Sequence, residues 1–218
     1  MVVIQSREFV LIIVIVILIL YQYKNKVNEY FTMDYIKSTY DLRYYKVNTT
    51  FSDKYEAANM LAKLHEFMIR FIKFIKIKFV IKKQGTPYQI AFFNRVLYNY
   101  NIDNIFENTP SPGSETSFVT DKGVEFGICL RQKEIYGDKI HDIQILQFVM
   151  LHELTHLGCI SYGHDKEFWD SFAMVLKNAV ESGLYEPVDY KKNNVNYCGV
   201  TVSNNPYYEK KYNLRSII

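Results

Sequence analysis

Between Asp142 and Leu157 the sequence leaves a helix almost no polar side: Ile143, Ile145, Leu146, Phe148, Val149, Met150, Leu151, Leu154 and Leu157 cover most of its circumference. Such a helix has to be buried. Yet His152, Glu153 and His156 are set into it. Imidazoles and carboxylates are costly in an apolar interior unless they find partners. The fold therefore has to be built around whatever those three groups hold.

Histidines four residues apart lie on one helix face, one turn apart, where both can bind one metal ion. Glu153 follows the first of them, and its carboxylate can reach a metal-bound water. Zinc lowers the pKa of such a water to about 7, and a nearby glutamate can take its proton as it attacks a carbonyl. The pattern His152-Glu153-Leu154-Thr155-His156 is short, and its buried setting is what adds weight. A third ligand is required. Gly158 permits a helix stop, Gly163 lets the chain turn before His164, and Asp165 can cap a following helix. That helix would bury Phe168, Trp169, Phe172, Val175, Leu176, Ala179 and Val180. His164 is the expected third ligand, and Glu181 near the end of the second helix is its rival. His141 and His65 are expected to be exposed or partly exposed, with no ligand role. Tyr162 and Tyr197 are the candidates for steadying an oxyanion, on aromatic chemistry alone.

A second feature stands at the amino terminus. Phe9 to Leu20 is unbroken apolar sequence, extended by Tyr21 and Tyr23 and bracketed by Arg7 and Lys24. About fifteen helical residues span roughly 22 Å, short of a 30 Å hydrocarbon core, but flanking Arg and Lys can snorkel. A signal peptide is the rival reading, and Tyr21 to Lys26 offers no small-residue cleavage site. The expectation is an uncleaved single-pass anchor over residues 1–24. Lys24, Lys26 and Lys37 after the run place the bulk of the chain on the cytoplasmic side.

The whole chain of 218 residues is long enough for one core, and a net charge of +3 with dispersed basic residues does not suggest a nucleic-acid binder. The three cysteines, Cys129, Cys159 and Cys198, are far apart and odd in number, which predicts no disulfide framework and a reducing compartment. Residues 25–52 read as a polar tether, 53–205 as one domain and 206–218 as a tail. A helix is expected from a capping-box-like start at Asp53, and another over Tyr88 to Tyr100. Arg70 to Lys83 is a run of basic and apolar residues that alternates almost at period two from Phe74 to Lys82. It predicts a helix end or an edge strand with a lysine face, and a membrane-surface segment is the other reading. Phe118 to Leu130 reads as an antiparallel hairpin turning at Asp121-Lys122-Gly123.

Val149 to His156, followed by Gly163-His164-Asp165-Lys166-Glu167-Phe168-Trp169, resembles the WLM and SprT-like group of minimal zinc metallopeptidases. Asp121-Lys122-Gly123, Ile128 to Arg131, Asp189-Tyr190 and Asn196 to Gly199 resemble more closely the small WLM-like proteins of large double-stranded DNA viruses. The likeness covers roughly Ser117 to Val202, and the interval from His156 to His164 is longer than in the cellular members. It implies an α+β, minimal zincin-like domain, with an active-site helix on a small antiparallel sheet behind the transmembrane helix. It further implies one Zn2+ on His152, His156 and His164, with Glu153 as the catalytic base.

Two functions follow as expectations. The first is a membrane-anchored metallopeptidase acting on a protein or peptide substrate. The second is a structural or minor capsid-type virion protein tethering an inner membrane to the shell through capsid contacts, with little or no activity. Glu153 favours the first, because a purely structural site does not need it.

Overall fold

The computed structural model describes residues 11–21, 32–109, 116–132 and 139–209. Helix α1 covers residues 11–21, and its side chains from Leu11 to Tyr21 are all exposed. Among the described residues no helix is long and apolar enough to cross a membrane. The expected anchor, residues 1–24, extends at both ends beyond the described residues.

Strands β1 (Met33–Lys37) and β2 (Tyr44–Asn48) pair antiparallel, Met33 opposite Asn48 and Lys37 opposite Tyr44. On β2 the alternation sends Tyr45 and Val47 into the core while Tyr44 stays exposed. Residues 32–48 thus form the edge of the sheet and not the expected tether. Their apolar alternation is only two residues deep and the partners of β2 lie far along the chain, so local composition hides it.

Helix α2 (Lys54–Ile75) buries Leu61, Leu64, Met68, Phe71 and Ile75 at helical spacing. It runs on as a π-helical turn, Lys76–Ile81, which keeps Phe79 buried behind Ile75. The basic stretch is therefore helical through Ile81, with Lys82 and Lys83 just past the helix end, and the period-two alternation misleads. Asp53 precedes α2 without a side-chain capping bond, because its carboxylate is paired with the Arg131 guanidinium. Helix α3 (Pro87–Asn99) opens with a complete capping box between Thr86 and Gln89 and with Pro87 in its first turn.

Strands β3 (Ile105–Asn108), β4 (Phe118–Thr120) and β5 (Glu125–Cys129) complete the sheet in the order β1-β2-β3-β5-β4. The β4–β5 hairpin is antiparallel as expected, and Asp121, Lys122 and Gly123 all take positive φ at its turn. β2–β3 and β3–β5 are parallel. The sheet is thus mixed, not antiparallel, because the chain passes through α2 and α3 between β2 and β3. Helix α4 (Ile143–Gly158) packs among α2, α3, α5 (Lys166–Glu181) and β4. A small hairpin, β6 (Val195–Tyr197) and β7 (Val200–Val202), closes the chain before a 3-10 turn at Pro206–Tyr208.

Cys129 at the end of β5 is disulfide-bonded to Cys198 in the β6–β7 turn, with Cα atoms 6.4 Å apart. This corrects the expectation of no disulfide: 69 residues separate the pair, and only the folded sheet brings them together. It also removes the cysteine argument for a reducing compartment. Cys159 is free and buried.

Candidate metal centre

Helix α4 has the boundaries its apolar pattern predicts, and its last turn is held from three sides. The Arg95 Nε donates to the Gly158 carbonyl at 2.7 Å and the Asn99 Nδ2 to that of Leu157 at 2.9 Å. The Lys122 ammonium, from the hairpin turn, donates to the Cys159 carbonyl. These bonds occupy carbonyls that a helix end leaves without partners, and they fix the turn that carries His156. Gly158 is not the expected stop signal. It ends the helix with ordinary φ, and a Cβ there would strike the Phe92 ring, so its use is the close approach of α3.

Past α4 the chain turns at Gly163, whose φ is +90°, and delivers His164 just before α5. The Asp165 side chain caps α5 by accepting the Phe168 N–H at 3.0 Å, as expected. The Glu167 carboxylate reaches back to accept the N–H groups of Ile160 and Ser161, both at 3.1 Å. Burial works against that charge, yet these bonds hold the Glu167 carboxyl below its usual range.

The result brings His152, His156 and His164 together. One ligand atom from each lies within 4.8 Å of the others, and His164 Nε2 stands 2.9 Å from His152 Nε2. Ring centroids are 5.1 Å apart for His152 and His156, and 4.8 and 4.9 Å for His164 with each of them. The fully buried Phe168 ring supports all three, its centroid 4.3 to 4.7 Å from theirs. Burial lowers all three imidazole pKa values. His152 is pushed well down, with its two histidine neighbours adding to the effect. His156 falls to about 4, through burial, His164 and the Lys122 ammonium. Neutral imidazoles with convergent lone pairs are what a metal requires. Nitrogens 2.0–2.1 Å from one tetrahedral zinc stand roughly 3.3 Å apart, against 2.9 Å between His164 and His152 and no more than 4.8 Å across the cluster here. The donor set therefore fits zinc.

Glu153 is buried and lines the same cleft as the histidines, a cavity of about 510 Å³ bounded also by Phe118, Lys122 and Val200. Glu181, the rival ligand, lies elsewhere, paired with Lys78 at 2.5 Å. Tyr162 stands at the cleft, exposed, with the Lys122 ammonium 4.8 Å above its ring. Tyr197 does not line the cleft. Its hydroxyl donates to the Cys129 carbonyl at 2.8 Å and meets the Ser117 hydroxyl at 2.6 Å, and burial pushes its pKa up.

The two remaining histidines are buried, contrary to expectation. His65 Nδ1 faces the Tyr45 hydroxyl at 2.7 Å, and His141 packs on Tyr197 with centroids 5.0 Å apart. Burial lowers both pKa values. Sequence reasoning passed over Lys122 and Glu167. Glu167 had a legible signal, an acidic residue in the first turn of a capped helix one loop away from the histidines; Lys122, on a hairpin turn, had none.

An uncharacterized protein of Acanthamoeba polyphaga mimivirus is 30% identical over 168 residues, covering 77% of this chain and 81% of its own. Uncharacterized proteins of Invertebrate iridescent virus 6 and Invertebrate iridescent virus 3 are each 31% identical, over 106 and 97 residues. Those stretches cover 49% and 44% of this chain and 58% of each relative. No family profile matches the chain, and no solved structure does. At this identity and coverage, the chain belongs to the family of large-DNA-virus proteins that includes the mimivirus protein.

Proposed function

We propose that this protein is a zinc-dependent metallopeptidase, with His152, His156 and His164 as metal ligands and Glu153 as general base. The observation that carries this reading is the convergence of three neutral histidines and a buried glutamate on one open cleft. A structural zinc site is normally closed by four protein ligands. Here three histidines converge in a cleft large enough for a peptide segment, and the motif supplies a glutamate that structure alone would not need.

Bound zinc supplies a Lewis acid that makes a water molecule acidic enough to attack near neutral pH. The chain does the rest. Glu153 takes the proton of the attacking water and passes it to the leaving amine. The Lys122 ammonium and the exposed Tyr162 stand on the cleft wall, where they can meet the polar backbone of a substrate. Phe168 fixes the three rings from below.

Resemblance to the WLM and SprT-like peptidases supports the same assignment, and kinship with proteins of large DNA viruses supports a setting in the infected cell or the virion. The exposed aliphatic run Leu11 to Leu20 of α1 supports a tether in a bilayer, including the inner membrane of a virion. The decisive experiment measures bound metal in the purified chain and digests a broad panel of unfolded proteins with and without chelator. Stoichiometric zinc and chelator-sensitive cleavage are expected. Zinc without any cleavage would favour the scaffold reading, in which the domain joins membrane to shell.

A further inference from the structure

We propose that the outer face of the second half of α2 and its π-helical extension is a docking surface for an anionic lipid bilayer. The face is built from Ile69, Lys73, Lys76, Ile77 and Ile81, flanked by Lys82 and Lys83. At 100° per residue the first four fall within roughly a 100° arc. The wider π turn then keeps Phe79 on the buried side and leaves Ile81 outside. Three isoleucines are consequently exposed on a folded helix: Ile69 at 41%, Ile77 at 39% and Ile81 at 67%. Nothing in the described residues covers them.

Their neighbours give the partner its sign. Residues 69–84 contain no carboxylate. Lys73, Lys76, Lys82 and Lys83 are exposed and form no ion pair among the described residues. Lys78, by contrast, is turned inward to Asn178 and Glu181. Exposed aliphatic side chains interleaved with unpaired lysines suit the headgroup boundary of a bilayer, where the apolar groups enter and the ammonium groups stay with phosphates. A nucleic acid offers the lysines a partner but gives the isoleucines nothing. The inference is independent of the metal-centre reading.

The test uses the full chain with Ile81→Cys carrying a polarity-sensitive fluorophore; Cys159 is buried and the other two cysteines are bridged. Vesicles of phosphatidylcholine are compared with vesicles that also contain phosphatidylserine. A blue shift is expected with the anionic vesicles. It should be lost when Lys73, Lys76, Lys82 and Lys83 are all changed to Gln, a substitution that an exposed face tolerates and that a thermal melt verifies. Each lysine near an anionic surface is worth about fivefold in partitioning, so the loss of four is expected to cost on the order of several hundredfold. If the chain co-sediments with vesicles while the probe stays in water, α1 alone makes contact and the proposal fails. Equal shifts on both vesicle types would overturn the anionic preference. Lysine-dependent binding of a short oligonucleotide without a probe shift would give the face to nucleic acid instead.

Discussion

Glu167 holds Ser161 twice, accepting its backbone N–H at 3.1 Å and its hydroxyl at 2.9 Å. The loop between the two helices is thereby tied to the first turn of α5, and His164 is presented from a fixed base. Neither residue is one of the three converging histidines, yet the position of His164 depends on both.

Removing that tie should weaken metal binding without unfolding the domain. Groups that orient metal ligands are typically worth 10- to 100-fold in affinity. Glu167→Ala is expected to lower zinc affinity by about that factor in a competition titration with a chromogenic chelator. Its far-ultraviolet circular dichroism should remain that of the parent. Unchanged affinity would mean that Gly163 and Asp165 position His164 unaided.

The histidine cluster predicts a pH dependence of the metal-free protein. His156 titrates near 4 in the folded chain, against an ordinary histidine value near 6.5, and His152 is also pushed well down. The unfolded chain therefore binds more protons than the folded one across that interval, and stability falls as pH drops. The contribution is complete above about 6.5 and lost on descending through the folded value. Melting temperature measured between pH 7 and 4 should decline, and His156→Gln should flatten the decline. A parent curve with the same slope as the variant's would contradict the burial argument.

Much of this site is legible along the chain, and the reason is locality. His152 and His156 are four residues apart on a helix whose apolar pattern is unbroken, and His164 follows a glycine turn and an aspartate cap. Features that depend on distant pairing stay hidden. Tyr45 and Val47 become strand residues only because β3 and β1 lie beside them. Cys129 finds Cys198 only across β5 and the β6–β7 turn. Around Phe74 and Phe79 the opposite failure occurs: the alternation suggests a strand, whereas a π turn following an α-helix gives the burial observed.

The disulfide is expected to contribute to stability chiefly by restricting the unfolded chain. A bridge closing a loop of 69 residues is worth about 2 to 4 kcal/mol. Denaturant midpoints with and without reductant should differ accordingly, and the Cys129→Ser, Cys198→Ser double variant should match the reduced parent. Tyr197 sits beside Cys198 and bonds to the Cys129 carbonyl, so its near-ultraviolet signal should change on reduction.

Packing at the end of α4 gives a prediction independent of metal. Adding a methyl at Gly158 drives it into the Phe92 ring, which is itself fully buried and packed on Phe93 with centroids 5.2 Å apart. Overpacking of this kind costs about 1–3 kcal/mol. Gly158→Ala should lower stability by that amount in urea denaturation. Gly163→Ala meets no neighbouring atom, but its φ of +90° suits glycine, so its cost should appear in the His164 loop and in zinc affinity.

The sharpest separation of roles lies between Glu153 and His156, adjacent to the same cleft but assigned different tasks. Glu153→Gln keeps the size and burial of the side chain and removes its capacity to accept a proton. Zinc content should therefore persist while hydrolysis is abolished. His156→Ala removes a ligand and leaves a gap against Phe168, whose ring stacks on it at 4.3 Å. That variant should lose the metal together with the thermal stabilisation that metal confers, since binding to the folded state is coupled to folding. Metal analysis, melting curves with added zinc and a digest of unfolded protein distinguish the two outcomes. Intact proteolysis by Glu153→Gln would remove Glu153 as the base while leaving the histidine site in place.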